Sequence, residues 1–328
     1  MTRSGVFAKF VCFSAVVAAF AWAGALRAQP AFPSKPITII VPFGAGGSTD
    51  VSTRALGEAA GRLLGQPVVV ENRPGGSGAV AISALRLLPA DGHALLIMGS
   101  TQIANQFLSD VAYNVERDLT PVVLHMSYHA GLAVRADSPW KTFRDFIAHV
   151  KANPGKVSYA SAAAGTPQHL VMERLTREIG ASMIFAPFGD GTKAVNALLG
   201  GHVDSVSQVT EWKPHVEAGT LRLLVTYGTK RMPQFPEVPT LIDLGYNITN
   251  VGFNSIVALK ATPPERVAAL ARAFKTVLDN PNSEFAKVLT KFDLVGENLG
   301  PAEATAYFRK FETDTRAILS AAGIGKKP

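Results

Sequence analysis

Short β-branched runs alternate with helix-forming segments along most of the chain. The run "ITIIV" (37–41) precedes a helical pattern from about Asp50 to Leu64, which ends at Gly65 as a C-terminal cap. A second series begins at Thr142, where Asp145 three residues on completes a capping box. Such alternation predicts parallel sheets with helices on both faces. Two series joined by long apolar strands predict two lobes with a cleft between them.

One long apolar run and the C-terminal third add detail to this prediction. The run "VVLHMSYHAGLAV" (122–134) is long enough to cross from one lobe to the other. The end of the chain is predicted to be helical over Pro263–Leu278, Pro281–Leu289 and Pro301–Leu319, because a proline at or near the first turn favours a helix start.

Three glycine-rich or small-residue loops follow predicted strands and precede predicted helices. They are "VPFGAGGSTD" (41–50), "YASAAAGTPQHL" (159–170) and "APFGDGTKAV" (186–195). Loops at the C-terminal ends of parallel strands are where α/β proteins bind ligands, and backbone N–H groups at a helix N-terminus suit an anion. We therefore expect these loops to hold a carboxylate, although the first could also be a tight turn and nothing more.

The first loop does not match a nucleotide site. It lacks the lysine of a P-loop. Gly44 and Gly46 fit a dinucleotide fingerprint, but Thr49 stands where the third glycine belongs. No nucleotide or other cofactor is expected.

The N-terminal 28 residues have the pattern of a secretory signal peptide. Arg3 and Lys9 give a basic start, Phe10 to Leu26 is mostly apolar, and small residues lie at 23–25 and at Ala28. The apolar run is shorter than the ~20 residues that span a bilayer, which disfavours a retained anchor. The prediction is a cleaved signal peptide (1–28) and a mature protein in the periplasm.

Charge and cysteine content narrow the function classes further. The formal net charge of +7 for 328 residues falls to +4 once the three basic residues of the signal are removed. This charge is too small and too dispersed to indicate nucleic-acid binding. The single cysteine, Cys12, leaves with the signal, so the mature chain depends on its hydrophobic core and not on disulfides.

Motifs for catalysis are missing. The chain contains neither G-x-S-x-G nor H-E-x-x-H. His125 and His129 have the spacing of metal ligands, but they lie on a segment predicted to be extended, where that spacing does not bring them together. Asp204 and Glu211 are carboxylates without an accompanying nucleophile. No catalytic residue and no metal site is predicted.

Several segments, in order, resemble the tripartite tricarboxylate transporter receptors, also called Bug or TctC-like extracytoplasmic solute-binding proteins. They are "PSKPITIIVPFGAGGSTD", "LGQPVVVENRPGGSG", "DGHALLIMGSTQ", "NPGKVSYASAAAGTPQHL", "ALLGGHVD", "LRLLVTYGTKRMPQFPEVPTLIDLGY" and "KATPPERVAALARAF". The resemblance spans about residues 33–320. It implies a two-lobed α/β fold like the type II periplasmic binding proteins, each lobe a mostly parallel sheet flanked by helices. Lobe 1 would comprise 33–128 and 250–328, and lobe 2 would comprise 129–249.

The resemblance also implies which residues contact the ligand. The first loop would hold a carboxylate, largely through backbone N–H groups, and lobe 2 would contribute two further loops and scattered polar residues. The implied contacts are Phe43, Gly44, Ala45, Gly46, Gly47 and Ser48; Ser161, Gly165, Thr166, Gln168 and His169; Phe188, Gly189 and Asp190; and Ser100, Thr101, Asp204 and Gln208.

One departure from the family concerns the third loop, which commonly reads like "P-Y-K-G" and here reads Pro187-Phe188-Gly189-Asp190. Asp190 either points to solvent and caps the next helix, or faces the cleft and binds a donor group on the ligand. His169 likewise has two interpretations, a ligand contact or a histidine that bonds the backbone at the helix start.

The function implied by the resemblance is capture of a small organic carboxylate. The receptor, a monomer without cofactor, would deliver this ligand to a permease with one large and one small membrane subunit. A sensor protein as the partner and, from another class, an exported hydrolase are the alternatives that the sequence leaves open.

Overall fold

The computed structural model describes residues 32–189, 191–249, 252–321 and 323. The predicted signal peptide (1–28) and Asp190 lie outside these residues. The chain divides after Ser34, and the fold described below belongs to the unit that begins at Lys35. Two β-sheets flanked by helices form the centres of two lobes in this unit, which confirms the predicted two-lobed α/β fold.

The described residues form eleven strands. In chain order they are β1 (Ile37–Val41), β2 (Val68–Asn72), β3 (Ala94–Gly99), β4 (Leu119–Tyr128), β5 (Ala130–Arg135), β6 (Ser158–Ser161), β7 (Ile184–Pro187), β8 (Ser205–Val209), β9 (Leu221–Thr226), β10 (Phe253–Leu259) and β11 (Leu294–Leu299). The sheet of the first lobe has the order β11-β4-β10-β3-β1-β2, and the sheet of the second lobe has the order β7-β6-β8-β5-β9.

Eleven α-helices accompany these strands in the same part of the chain. They are α1 (Ser48–Leu64), α2 (Ala79–Arg86), α3 (Ser100–Leu108), α4 (Val115–Asp118), α5 (Phe143–Ala152), α6 (Pro167–Ile179), α7 (Gly191–Leu199), α8 (Lys213–Glu217), α9 (Pro264–Leu278), α10 (Glu284–Lys291) and α11 (Pro301–Ala321). Across the described residues, no helix is both long and apolar enough to cross a membrane.

Local signals in the sequence set several helix ends. Gly65 ends α1 in the left-handed conformation, with a φ of +69°. Thr142 and Asp145 form the predicted capping box at α5, since each side chain accepts the backbone N–H of the other residue (2.9 and 3.2 Å). The helix predicted to begin at Pro281 begins instead at Glu284, because Ser283 caps it by accepting the Ala286 N–H (3.1 Å).

Both sheets are mixed, so the expectation of mostly parallel sheets was wrong, but the strands that carry the predicted loops are parallel to their neighbours. β1 is parallel to β2 and β3, and β6 is parallel to β7 and β8. β10 is antiparallel to β3 and β4, and β5 is antiparallel to β8 and β9. The antiparallel strands β10 and β5 directly follow the two connections between the lobes, so they enter their sheets from the opposite direction.

Alternate side chains of the second sheet pack into separate cores on its two faces, as a period of two requires. Tyr159 of β6 joins the core under α5 and α6, whereas its neighbour Ala160 joins the core under α7. In the first lobe, Phe253 of β10 packs against Phe308 and Phe311 of α11, with ring centroids 5.5 and 5.2 Å apart. The C-terminal helix therefore closes the core of the first lobe.

The lobes are joined where β4 ends at Tyr128 and β5 begins at Ala130, so the predicted crossing within 122–134 is confirmed. The returning connection runs beside it. The Tyr128 N–H donates to the Gly252 carbonyl (2.8 Å), and the Tyr227 N–H donates to the Ala130 carbonyl (3.0 Å). Tyr128 thus lies at the boundary between the lobes.

Candidate functional site

The first loop (residues 43–48) leaves the C-terminal end of β1 and enters α1. Residues 43–47 are exposed, and Gly46 has a φ of +85°, a conformation that residues with a side chain rarely adopt. The Gly46 N–H donates to the Asp50 carboxylate (2.9 Å). The N-cap residue of α1 is Gly47, so no capping side chain covers the first amides of this helix. A helix N-terminus of this kind suits an anion.

A polar network fastens the first loop to the sheet. Asn72, the last residue of β2, donates through Nδ2 to the Phe43 carbonyl (3.1 Å) and to Asp50 Oδ1 (2.9 Å). Arg54 in α1 donates to Asn72 Oδ1 (2.8 Å) and lies 3.0 Å from Asp50. Burial alone would raise the pKa of Asp50, but hydrogen bonds led by that from Arg54 outweigh it and lower the pKa. Asp50 is therefore a charged, buried support of the loop.

The second loop (residues 161–166) leaves β6 and enters α6 in the same manner. Thr166 is the N-cap residue of α6, and its hydroxyl accepts the His169 N–H (3.4 Å). Gly165 has a φ of +77°, and its N–H donates to His169 Nδ1 (3.1 Å). The His169 side chain is 1% exposed. It thus supports the loop from within the lobe.

Further groups surround the His169 ring. Its Nε2 lies 3.6 Å from Glu173 Oε1, which also accepts the Tyr159 hydroxyl (3.1 Å). The ring of Phe185 on β7 packs against it, with centroids 4.2 Å apart. Burial lowers the pKa of His169 below its ordinary value, and the charge of Glu173 opposes this effect in part.

The third loop (residues 188–192) is described except for Asp190. The Phe188 N–H donates to the Ser161 carbonyl (3.1 Å), and the Gly189 N–H donates to the Ala162 carbonyl (2.7 Å). The second and third loops are therefore bonded to each other. Gly191, the first residue of α7, lies against the side chains of Gln208 and Glu211. Because Asp190 lies outside the described residues, its two interpretations, a helix cap or a ligand contact, stay predictions.

Tyr128 bonds the start of α1 at the boundary between the lobes. Its hydroxyl lies 2.9 Å from Thr49 Oγ1, and Asn254 Nδ2 donates to both hydroxyl oxygens (2.8 and 3.1 Å). Lack of solvent around the hydroxyl raises the pKa of Tyr128, and the negative charge of Glu211 in the second lobe adds to that rise. Hydrogen bonding to Thr49 opposes it.

Three helix N-termini converge at this point. A Cβ placed on Gly252 would lie 3.2 Å from the Tyr128 ring, 3.6 Å from Ser100 Oγ and 3.7 Å from Pro167 Cγ. Ser100 and Pro167 are the first residues of α3 and α6. Thr49, which bonds Tyr128, is the second residue of α1. The positive ends of α1 and α3 from the first lobe and of α6 from the second are therefore close together.

Some of the remaining predicted residues lie near these helix N-termini, and others lie elsewhere in the second lobe. Thr101 follows Ser100 in α3, and Gln168 is buried in the first turn of α6. Gln208 is buried beside α7, and its Oε1 has no hydrogen-bond partner among the described residues. Asp204, by contrast, bonds the Ser158 N–H and hydroxyl (2.8 and 2.7 Å). It lies where β6 and β8 begin, at the sheet edge opposite the second loop.

Sequence reasoning missed Thr49, Asp50, Asn72, Tyr128 and Asn254. Asp50 could have been found, since an acidic residue in the first turn of a helix can bond an amide just before that helix. Asn254 lies in β10, a strand that the local sequence pattern does not predict. No group of three or more His, Cys, Asp or Glu side chains in the described part of the chain is placed to hold a metal ion.

A cavity of about 690 Å³ lies beside the connections between the lobes. Its walls include Tyr128, Arg174, Tyr227, Glu297 and Lys310. None of the predicted ligand-binding residues lines it. The cavity therefore adjoins the site at Tyr128 but contains no residue of the three loops.

The two-lobed fold and the helix N-termini that meet around Tyr128 and Gly252 define a solute-binding receptor. The model of the tripartite tricarboxylate transporter family receptor matches residues 52–315. A relative from Cupriavidus necator, the UPF0065 protein in the gbd 5′ region, is 36% identical over 323 residues, which is 97% of this chain and 98% of the relative. The chain belongs to the tripartite tricarboxylate transporter receptor family.

Two solved structures show the same architecture. A protein from R. palustris, solved with adipate, has a TM-score of 0.76 at 25% identity, covering 90% of this chain and 99% of that chain. MatC from Rhodopseudomonas palustris, solved with bound malate, has a TM-score of 0.71 at 26% identity, covering 88% of this chain and 100% of that chain.

Proposed function

We propose that this protein is a periplasmic receptor, and not an enzyme, which captures a small organic carboxylate for a tripartite tricarboxylate-type uptake transporter. The observation that carries the proposal is the convergence of the N-termini of α1, α3 and α6 around Tyr128 and Gly252. Helix N-termini present N–H groups and partial positive charge, and each stabilises a nearby anion by about 0.3–1 kcal/mol. Three such termini from two lobes favour a negatively charged ligand.

The similar R. palustris proteins support this choice of ligand class, since one was solved with adipate and the other with malate. Both ligands are dicarboxylates, so a small mono- or dicarboxylate is the class we assign to this chain. We assign the choice among such acids to the side chains of Gln208 and Glu211, which lie against Gly191 at the start of α7.

The proposed binding site keeps most of the predicted contacts and adds three. It comprises Phe43, Gly44, Ala45, Gly46, Gly47, Ser48, Thr49, Ser100, Thr101, Tyr128, Ser161, Gly165, Thr166, Gln168, Phe188, Gly189, Asp190, Gln208 and Asn254. Asp204 is left out because it bonds Ser158 at the opposite edge of the sheet. His169 is assigned a supporting role and not a ligand contact, because its ring is buried and accepts the Gly165 N–H.

The remaining parts of the proposal concern lobes, export and partner. Lobe 1 comprises 33–128 and 250–328, and lobe 2 comprises 129–249. The first 28 residues direct export and are removed. The loaded receptor, a monomer, docks on a permease with one large and one small membrane subunit.

Thermal melting of the exported protein tests the ligand class. The probes are acetate, malate, adipate and benzoate, and adipamide is the neutral counterpart of adipate. An acid at a hundred times its Kd stabilises the fold by about 2.7 kcal/mol. At roughly 2–4 °C per kcal/mol for a somewhat smaller domain, this is a rise of several degrees in Tm. An equal shift with adipamide, or no shift with any acid, would contradict the proposal.

A further inference from the structure

The first and second loops are each held by a hydrogen bond of the same geometry, but the accepting side chain differs in chemistry. In each, a glycine with positive φ immediately precedes the N-cap residue, and its N–H donates to the side chain four residues on. Gly46 donates to Asp50 (2.9 Å), and Gly165 donates to His169 (3.1 Å). The glycines have φ values of +85° and +77°. The two lobes thus fix their loops by one geometry.

The two acceptors differ in how they respond to acid. A carboxylate such as Asp50 stays charged down to about pH 4, and its hydrogen bonds lower its pKa further. An imidazole accepts a hydrogen bond at Nδ1 only when that nitrogen carries no proton. The Gly165 bond therefore requires neutral His169, with its proton on Nε2 facing Glu173.

We propose that His169 is a positioning residue for the second loop, and that its protonation releases Gly165 and weakens ligand binding. Only the effect on affinity rests on the proposed function. The effect on Gly165 follows from the hydrogen bond itself.

The surroundings of Gly165 limit the directions in which its backbone can move. Leu108 at the end of α3, in the first lobe, lies so close to the Gly165 Cα that a Cβ there would collide with it. Gly165 is therefore held between the His169 ring and the opposite lobe. Once Nδ1 carries a proton, two N–H groups face each other, and the Gly165 backbone must move.

Few groups facing His169 can shift the pH at which this occurs. Glu173 on the same helix favours the charged ring, and Tyr159 on β6 donates to Glu173. Phe185 on β7 adds an uncharged face. Burial has the larger effect and lowers the pKa of His169, so the ring is neutral at pH 7.5 and gains its proton below about pH 6.5.

Amide spectra of the ligand-free protein between pH 8 and pH 4.5 test the positioning role directly. In the wild type, the Gly165 amide shift should follow the titration of the His169 ring, whereas the Gly46 amide should not move in this range. In His169→Asn, the Oδ1 atom takes the place of Nδ1 without titrating, so the Gly165 shift should be flat. A wild-type Gly165 amide that ignores the His169 titration would overturn the inference without reference to any variant.

Calorimetry with malate and with adipate tests the consequence for binding. Between pH 7.5 and a pH below the His169 titration seen in the spectra, the wild type should lose about fivefold or more affinity beyond the loss seen in His169→Asn. Protonation of the ligand itself affects both proteins equally. His169→Gln, whose acceptor sits at the position of Nε2, should bind about tenfold more weakly already at pH 7.5. His202→Asn, at an exposed histidine of the same lobe, should behave as the wild type.

Two results separate this inference from the proposed function. If neither acid binds the wild type at pH 7.5, the proposed ligand class loses its support, and the Gly165 titration still decides the positioning role. If both acids bind and His169→Asn shows the same acid loss as the wild type, the inference is overturned while the proposed function stands.

Discussion

At the scale of single residues, Gly46 has the most restricted backbone conformation in the first loop. Its φ is +85°, and no atom lies within 4 Å of the place that a Cβ would take. Gly46→Ala therefore meets no steric clash but adopts a conformation that costs an L-residue roughly 1–2 kcal/mol. We expect the loop to relax away from this conformation, so that adipate or malate binds about tenfold more weakly in calorimetry.

Gly245 provides a matched control for this prediction. Its φ is +87°, it too has open space around the position of a Cβ, and it lies in an exposed turn of the second lobe. Gly245→Ala should lower the free energy of unfolding by a similar amount and leave affinity unchanged. Equal affinities in the two variants would show that the Gly46 conformation has no part in binding.

At the scale of elements, Asn72 connects three parts of the first lobe. From the end of β2 it bonds the Phe43 carbonyl of the first loop, the Asp50 carboxylate and the Arg54 guanidinium of α1. Asn72→Ala should lower the free energy of unfolding by about 2–3 kcal/mol, because it removes three hydrogen bonds, two of them to charged groups. Because the loop loses its attachment, affinity for adipate or malate should fall by about tenfold.

Asn153→Ala is the comparison for Asn72→Ala. The Asn153 amide bonds the His149 carbonyl at the end of α5, remote in sequence and in lobe from the first loop. Asn153→Ala removes this single bond and should lower the free energy of unfolding by about 1 kcal/mol in urea, with calorimetric affinity unaltered. Were Asn72→Ala to bind as tightly as Asn153→Ala, the network under the loop would serve stability alone.

Helix caps and strands differ in how well the sequence alone predicts them. The helix caps at Gly65 and Thr142 depend on nearby residues, so local patterns predict them. β10 and β11 were missed because their strand character comes from pairing with β4, which precedes β10 by more than a hundred residues. The bond between Asn254 and Thr49 spans 205 residues for the same reason. Tertiary pairing, not local propensity, decides such positions.

At the scale of the whole molecule, His125 makes stability depend on pH through the core of the first lobe. It lies on β4 with no exposed surface, its ring is 6.0 Å from that of Phe285, and neither nitrogen has a hydrogen-bond partner among the described residues. Burial lowers the pKa of His125 to about 3. The folded protein therefore contains the neutral ring above about pH 3.

The lowered pKa fixes the direction of the effect. An unfolded histidine gains its proton near pH 6.5, whereas the folded one does so only near pH 3, so the unfolded state binds more protons between these values. The part of the unfolding free energy that depends on the neutral His125 ring is complete above about pH 6.5 and is lost as the pH falls. Between pH 6.5 and pH 4.5 the loss is about 2 kcal/mol for this residue, and His129 and His169, whose pKa values are also lowered by burial, add to it.

Urea unfolding of His125→Leu at several pH values measures this contribution. Leucine removes the two unpaired nitrogens from the core at a similar size, so we expect equal or greater stability at pH 7.5. We also expect the decline between pH 6.5 and pH 4.5 to become smaller by about 2 kcal/mol. His202→Leu, at an exposed position, should keep the full wild-type decline. A decline in His125→Leu as steep as in the wild type would mean that the buried imidazole does not govern the acid stability of the first lobe.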